Sequence, residues 1–74
     1  MNDAWEDWCR ECIEEARQHA VQSGTTVETA MLRILAVLIP ESLARFPDIE
    51  LRVALRELAW WAGKADHDAR VKSG

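Results

Sequence analysis

Apolar residues recur at three- and four-residue spacing in three stretches of this chain, and each stretch reads as a helix. In the first, Trp5, Trp8, Cys9, Cys12, Ile13, Ala16 and Ala20 fall within an arc of roughly 140° when successive residues are turned by about 100°. Asp3, Glu6, Asp7, Arg10, Glu11, Glu14 and Arg17 take the other side. The spacing predicts a helix over about 4–23. Asp3 suits its N-cap, Glu6 completes a capping box, and Gly24 suits the left-handed residue that ends a helix.

The second stretch, Val27 to Ile39, is apolar round most of its circumference. Val27, Ala30, Met31, Ile34, Leu35, Val37 and Leu38 share one broad face, while Leu32, Ala36 and Ile39 fall opposite. Only Thr29 and Arg33 form a polar strip. A helix of this kind has to be covered from most directions, so it reads as the central helix of the core, over about 26–39. Thr25 is its expected cap, with Glu28 reaching back to the Thr25 N–H. The short link around Gly24 makes the first two helices antiparallel neighbours. Pro40 removes a backbone donor, so the helix is predicted to stop or kink near Ile39. Residues 40–46 are then either a short separate helix or a kinked continuation.

In the third stretch, over about 48–62, Leu51, Ala54, Leu55, Leu58, Trp61 and Ala62 form the expected core stripe. Ile49, Val53 and Trp60 form a second stripe roughly opposite, bordered by Arg52 and Arg56. From Gly63 to Gly74 the chain is a polar tail, whose alanines are compatible with either continued helix or fraying. The pattern therefore predicts an all-α fold: one domain spanning 1–74, a small three-helix bundle with a short fourth helix as an option. A single bundle has no use for the two surplus apolar surfaces. Leu32, Ala36 and Ile39 with Ile49, Val53, Arg56 and Trp60 are the expected interface of a homodimer or of a permanent complex.

Size sharpens that expectation, because an 8.4 kDa chain sits near the limit at which one hydrophobic core suffices and oligomerisation is a common supplement. The 49% hydrophobic content argues against disorder. The longest apolar run falls short of the roughly 18 residues that cross a bilayer, so no membrane association is expected. Met1 leads into Asn2, Asp3 and an amphipathic pattern, not a basic segment with an apolar stretch, and with two cysteines the expected setting is a reduced cytoplasm.

The net charge of −4 is unevenly spread. Up to Gly24 six acids stand against Arg10 and Arg17, and the remainder of the chain balances. No cluster of lysines or arginines is present to neutralise phosphates, so direct nucleic-acid binding is not expected. Asp7, Glu11, Glu14 and Glu15 instead form an acidic face suited to a basic protein partner.

Candidate chemistry is sparse. Cys9 and Cys12 form a Cys-x-x-Cys, whose two sulfurs, one turn apart, suit half of a zinc site or a redox pair. No second pair completes a tetrahedron, and His19 lies about 10 Å further along the helix, so two small buried apolar residues are the expectation. His19 reads as a partly buried side chain at the edge of the apolar face and His67 as a tail residue; neither has a triad-like partner. No catalytic residue, metal or cofactor is expected. Trp5 and Trp8, near the start of the first helix, and Trp60 and Trp61, near the end of the third, are expected at opposite ends of an up-down-up bundle. Trp60, with Arg56 one turn earlier to stack on it, suits an interface anchor.

Glu41-Ser42-Leu43 resembles the Asp-Ser-Leu of small acidic helical carrier proteins, in which the serine at a helix start takes a phosphopantetheine arm. The resemblance covers these three residues together with size, acidity and helicity. It departs in having Glu41 for the aspartate and Pro40 where a glycine-containing loop would lie. It implies a carrier modified on Ser42. The residues themselves favour a non-enzymatic interaction module, a small acidic adaptor or inhibitor that homodimerises. One form of it is a nucleic-acid mimic that blocks a nucleic-acid-handling protein, as phage-type anti-host or anti-defence inhibitors do. A metal or redox protein using Cys9 and Cys12 is the third reading.

Overall fold

In the computed structural model, which describes residues 3–73, the chain folds into three α-helices, α1 (Asp3–Ser23), α2 (Val27–Arg45) and α3 (Leu51–Ser73), each packed against the other two. Met1, Asn2 and Gly74, the ends of the span read from the sequence, lie outside the described residues. The all-α three-helix bundle expected from the periodicity is the fold, and no strand occurs among the described residues.

α1 buries the seven residues of its apolar arc, from Trp5 to Ala20. It ends as the sequence requires. Gly24 takes φ +67°, and the Thr25 N–H donates to the Ala20 carbonyl at 3.0 Å, the six-to-one bond of a Schellman cap. The start of α2 differs from expectation by one residue: Thr26 is the cap, accepting from the Thr29 N–H at 3.2 Å. Glu28 does not reach back. The free donors at this end go across the bundle to Asp66, whose carboxylate accepts from the Val27 N–H at 2.8 Å and from the Glu28 N–H at 3.0 Å. Negative charge at a helix N-terminus is favourable on both hydrogen-bond and dipole grounds.

α2 does not stop at Pro40, and residues 40–46 are not a separate helix; the helix runs through to Arg45. Pro40 lacks the N–H that the Ala36 carbonyl would otherwise accept, and both residues are on the exposed side of α2. The turn beyond the proline is held from the side. Ser42 is buried at 1% exposure; its hydroxyl donates to the Leu38 carbonyl at 2.7 Å and accepts from Trp8 Nε1 at 2.7 Å. The Arg45 guanidinium lies 4.5 Å from the centre of the Trp8 ring. The helix closes where the Phe46 N–H donates to the Ser42 carbonyl at 2.9 Å.

α3 begins at Leu51, not near Asp48, because a tight turn uses the intervening residues: the Ile49 N–H donates to the Phe46 carbonyl at 3.0 Å across Pro47 and Asp48. It continues to Ser73, so most of the expected polar tail is helix. Ala62 and Ala65 are buried, Lys64 pairs with Asp68 at 3.2 Å one turn apart, and Arg70 and Lys72 complement the dipole of the last turn. Gly63 lies close to Glu28, and a Cβ there would meet Glu28 Oε1, the end of an exposed side chain, at 3.2 Å.

The molecule measures 39 × 24 × 17 Å. Its thin dimension is less than two helix diameters of about 10–12 Å, so no helix is surrounded. α2 is not central. Its inner face, with Val27, Ala30, Met31 and Leu38, is buried, while Leu32 is 70% exposed and Val37, assigned by periodicity to the core face, is 63% exposed.

Replacing Asp66 by alanine removes the acceptor for two helix-terminal donors from a residue 39 positions away. The expected loss is about 1–2 kcal/mol in urea unfolding at neutral pH, with the folded helix content retained. An unchanged midpoint would show that the Asp66 contact does not hold α2 to α3.

Candidate functional site

Exposed apolar side chains lie along the seam between α2 and α3. Leu32 and Ala36 come from the outer side of α2, and Leu51, Leu55 and Ala59 from the flank of α3 that runs beside it. Leu51 and Leu55 retain 51% and 38% exposure although the sequence places both in the core stripe. The cause is geometric. In a three-helix bundle two neighbours cover only part of each helix, and Leu55 lies about 20° past Ala62 at the edge of the covered arc, whereas Leu51 falls within that arc and is exposed as the first residue of α3. Ala54, Leu58, Ala62 and Ala65 occupy the covered part. A depression of about 90 Å³ opens in the seam, lined by Glu28, Met31, Leu32, Leu35, Ala59 and Ala62. That is about three waters' share of liquid volume, the space of one aliphatic side chain.

The expected interface set is divided by the structure. Leu32 and Ala36 lie on the seam and are exposed, but Ile39 and Ile49 are partly buried and pack on the core. Trp60, 57% exposed, and the half-buried Val53 lie on the outer side of α3, about 100° of helix rotation beyond Ala59, and so belong to a different surface from Leu32. Trp60 does not stack on Arg56. Its ring meets Trp61 edge to face, at 5.4 Å and 89°, and it is Arg10 of α1 whose guanidinium sits 5.8 Å from the Trp61 ring. The two tryptophan pairs are accordingly not at opposite ends, because the longer α3 brings Trp61 beside the middle of α1.

Asp7, Glu11, Glu14 and Glu15 are all exposed on the outer side of α1. Asp7 lies 3.7 Å from Arg10 and Glu14 lies 3.9 Å from Arg17, whereas Glu11 and Glu15 have no ion pair among the described residues. Between α1 and α3 a groove of about 290 Å³ is lined by Arg10, Arg17, Lys64, Glu14, Asp68 and Trp61 among others. Its cations are matched to neighbouring acids, Arg10 to Glu6 and Asp7, Arg17 to Glu14 and Lys64 to Asp68, which leaves no unbalanced positive charge for an anion.

Ser42 offers no exposed hydroxyl for an arm to join, since both its hydrogen-bonding functions are used inside the core. Cys9 and Cys12 are free thiols at 0% and 1% exposure. Burial pushes each up to about 12, with Cys12 and nearby acids adding to the effect at Cys9, and Glu15 and Glu11 at Cys12. A thiol held neutral is a poor nucleophile. His19 is exposed, not partly buried at the edge of the core, and His67 is an exposed residue of α3. Among the described residues no group of three or more His, Cys, Asp or Glu is placed to hold a metal ion, and no helix is long and apolar enough to cross a membrane. No protein-family description, curated protein or solved structure matches the chain.

The buried thiols give a pH signature. Unfolded cysteine ionises near 9.0 and these two only near 12, so the unfolded state loses protons first and stability falls as pH rises through that window. Urea midpoints measured from pH 8 upward should drop more steeply for the wild type than for a Cys9→Ala/Cys12→Ala variant. Parallel profiles would mean that the thiols are not held neutral by burial.

Proposed function

We propose that this protein is a non-enzymatic interaction module, a small acidic adaptor or inhibitor that works as a homodimer. The observation that carries the proposal is the exposed apolar seam of Leu32, Ala36, Leu51, Leu55 and Ala59, with a side-chain-sized depression between its helices. At about 25 cal/mol per Å², a few hundred Å² of such surface is worth on the order of several kcal/mol. A 74-residue domain has in total roughly 4–11 kcal/mol of stability, so covering the seam is energetically comparable with folding itself.

The opposite side of the molecule is assigned to the partner. Asp7, Glu11, Glu14 and Glu15 form its acidic face, and on the outer side of α3 Trp60 and Arg56, beside Val53, supply the residue types of an interface anchor. The Trp61 ring, in contact with both Trp60 and Arg10, joins α3's aromatic side to the charged side of α1. The partner is a protein with a basic surface, such as one that handles nucleic acid, and the chain itself is not a nucleic-acid binder. A reduced, cytoplasmic setting suits its two free thiols. The carrier and metal or redox readings are not favoured, for the burial of Ser42, Cys9 and Cys12 described above.

Sedimentation equilibrium at tens of micromolar should give twice the 8.4 kDa chain mass for the wild type and a single chain for Leu32→Glu/Leu55→Glu, with helix content preserved in both. A wild-type monomer overturns the dimer. In affinity capture from the native host, a Glu11→Lys/Glu14→Lys/Glu15→Lys variant should lose a protein that the wild type retains in a salt-sensitive manner. Equal capture by both removes the acidic face from the account.

A further inference from the structure

The exposed side of α2 carries a second periodicity besides the one that builds the core. Thr29, Leu32, Ala36, Ile39 and Leu43 follow one another at spacings of three, four, three and four, which is the seam of a two-stranded coiled coil, with Ala36 at its middle. Leu32 and Ala36 are exposed, and Thr29, Ile39 and Leu43 are half-buried, Ile39 with one side on the core and the rest of its surface toward the seam. Glu28 borders this seam on the side of α3 and Arg33 on the other. Neither side chain has an ion pair among the described residues.

We propose that the occupant of this face is α2 of a second copy, running parallel about a twofold axis along the seam, with Glu28 of each copy paired to Arg33 of the other. The inference rests on the dimer proposed above and fixes its geometry. In a parallel pair, a flanking residue just before one seam position meets the partner's flanking residue five positions later, and Glu28 to Arg33 has that offset with opposite charges. In an antiparallel pair centred on Ala36, Arg33 would face Pro40, and Glu28 would face the buried Ser42, with no charge to meet. The parallel arrangement also lays the second α2 beside Leu55 and Ala59, and it leaves both acidic faces of α1 pointing outward.

Orientation is read by disulfide formation between single introduced cysteines, the native thiols being buried. In the parallel dimer, Thr29→Cys and Leu43→Cys each meet their own counterpart within the roughly 4.4–6.8 Å that a disulfide allows between Cα atoms. In the antiparallel one, two copies of position 29 are about 21 Å apart and position 29 meets position 43. Mild oxidation should therefore link Thr29→Cys to itself and Leu43→Cys to itself, with no preference for a mixed 29–43 product. Sedimentation then supplies the independent arm: Glu28→Lys or Arg33→Glu alone should weaken the dimer about tenfold, and the double exchange should restore it. A dimer that links 29 to 43, or that is indifferent to the charge exchange, overturns the parallel register while leaving dimerisation intact. A wild-type monomer overturns both.

Discussion

A helix that is apolar round most of its circumference cannot be covered by two neighbours, and this mismatch governs the whole molecule. α2 turns Val27, Ala30, Met31 and Leu38 inward, where α1 and α3 seal them, and that leaves Leu32 and Ala36 facing out. Three helices in a body 17 Å thick offer no further element to place over them. The chain accordingly invests in holding α2 firmly at both ends. Asp66 secures its first turn from α3, and Trp8 with Ser42 secures the turn after Pro40 from α1. Holding the helix at both ends lowers the backbone-ordering cost of covering its bare outer side, while exposed side chains such as Leu32 still lose freedom when covered.

Ser42, Cys9 and Cys12 are all buried. Each of these residues does its work within the core. Ser42 satisfies the indole of Trp8 and the carbonyl of Leu38, and Cys9 and Cys12 are among the largest fully buried side chains of the core. Polarity on this protein is instead arranged at long range, with an acidic α1 on one side and a seam bordered by Glu28 and Arg33 on another.

Much of this was legible in the amino-acid sequence. The α1 arc from Trp5 to Ala20, the left-handed Gly24 and the three-helix architecture all follow from period and punctuation. Failures cluster where a distant residue overrides a local signal. Pro40 is a helix breaker only while its turn lacks other support, and the support comes from Trp8, 34 positions from Ser42. Thr26 and not Thr25 is the cap: the Thr25 N–H that Glu28 was expected to answer is taken by the Ala20 carbonyl, and Asp66, remote in sequence, takes the Val27 and Glu28 donors. Within the candidate site, apolar character identified Leu32, Ala36 and Trp60 as surplus, but periodicity cannot say which edge of a wide stripe stays uncovered. Leu55 was therefore assigned to the core, and Trp60 to the same surface as Leu32, when rotation about α3 separates them.

If the bare side of α2 is half of an interface, folding and assembly are linked by mass action, and stability depends on how much protein is present. The most direct measurement is the thermal unfolding midpoint across a hundredfold range of concentration, followed by far-ultraviolet circular dichroism. For a dimer of two such chains the midpoint should climb by about 5 °C for each tenfold increase. A midpoint independent of concentration would contradict the account, since it would mean that the folded chain stands alone with its seam in water.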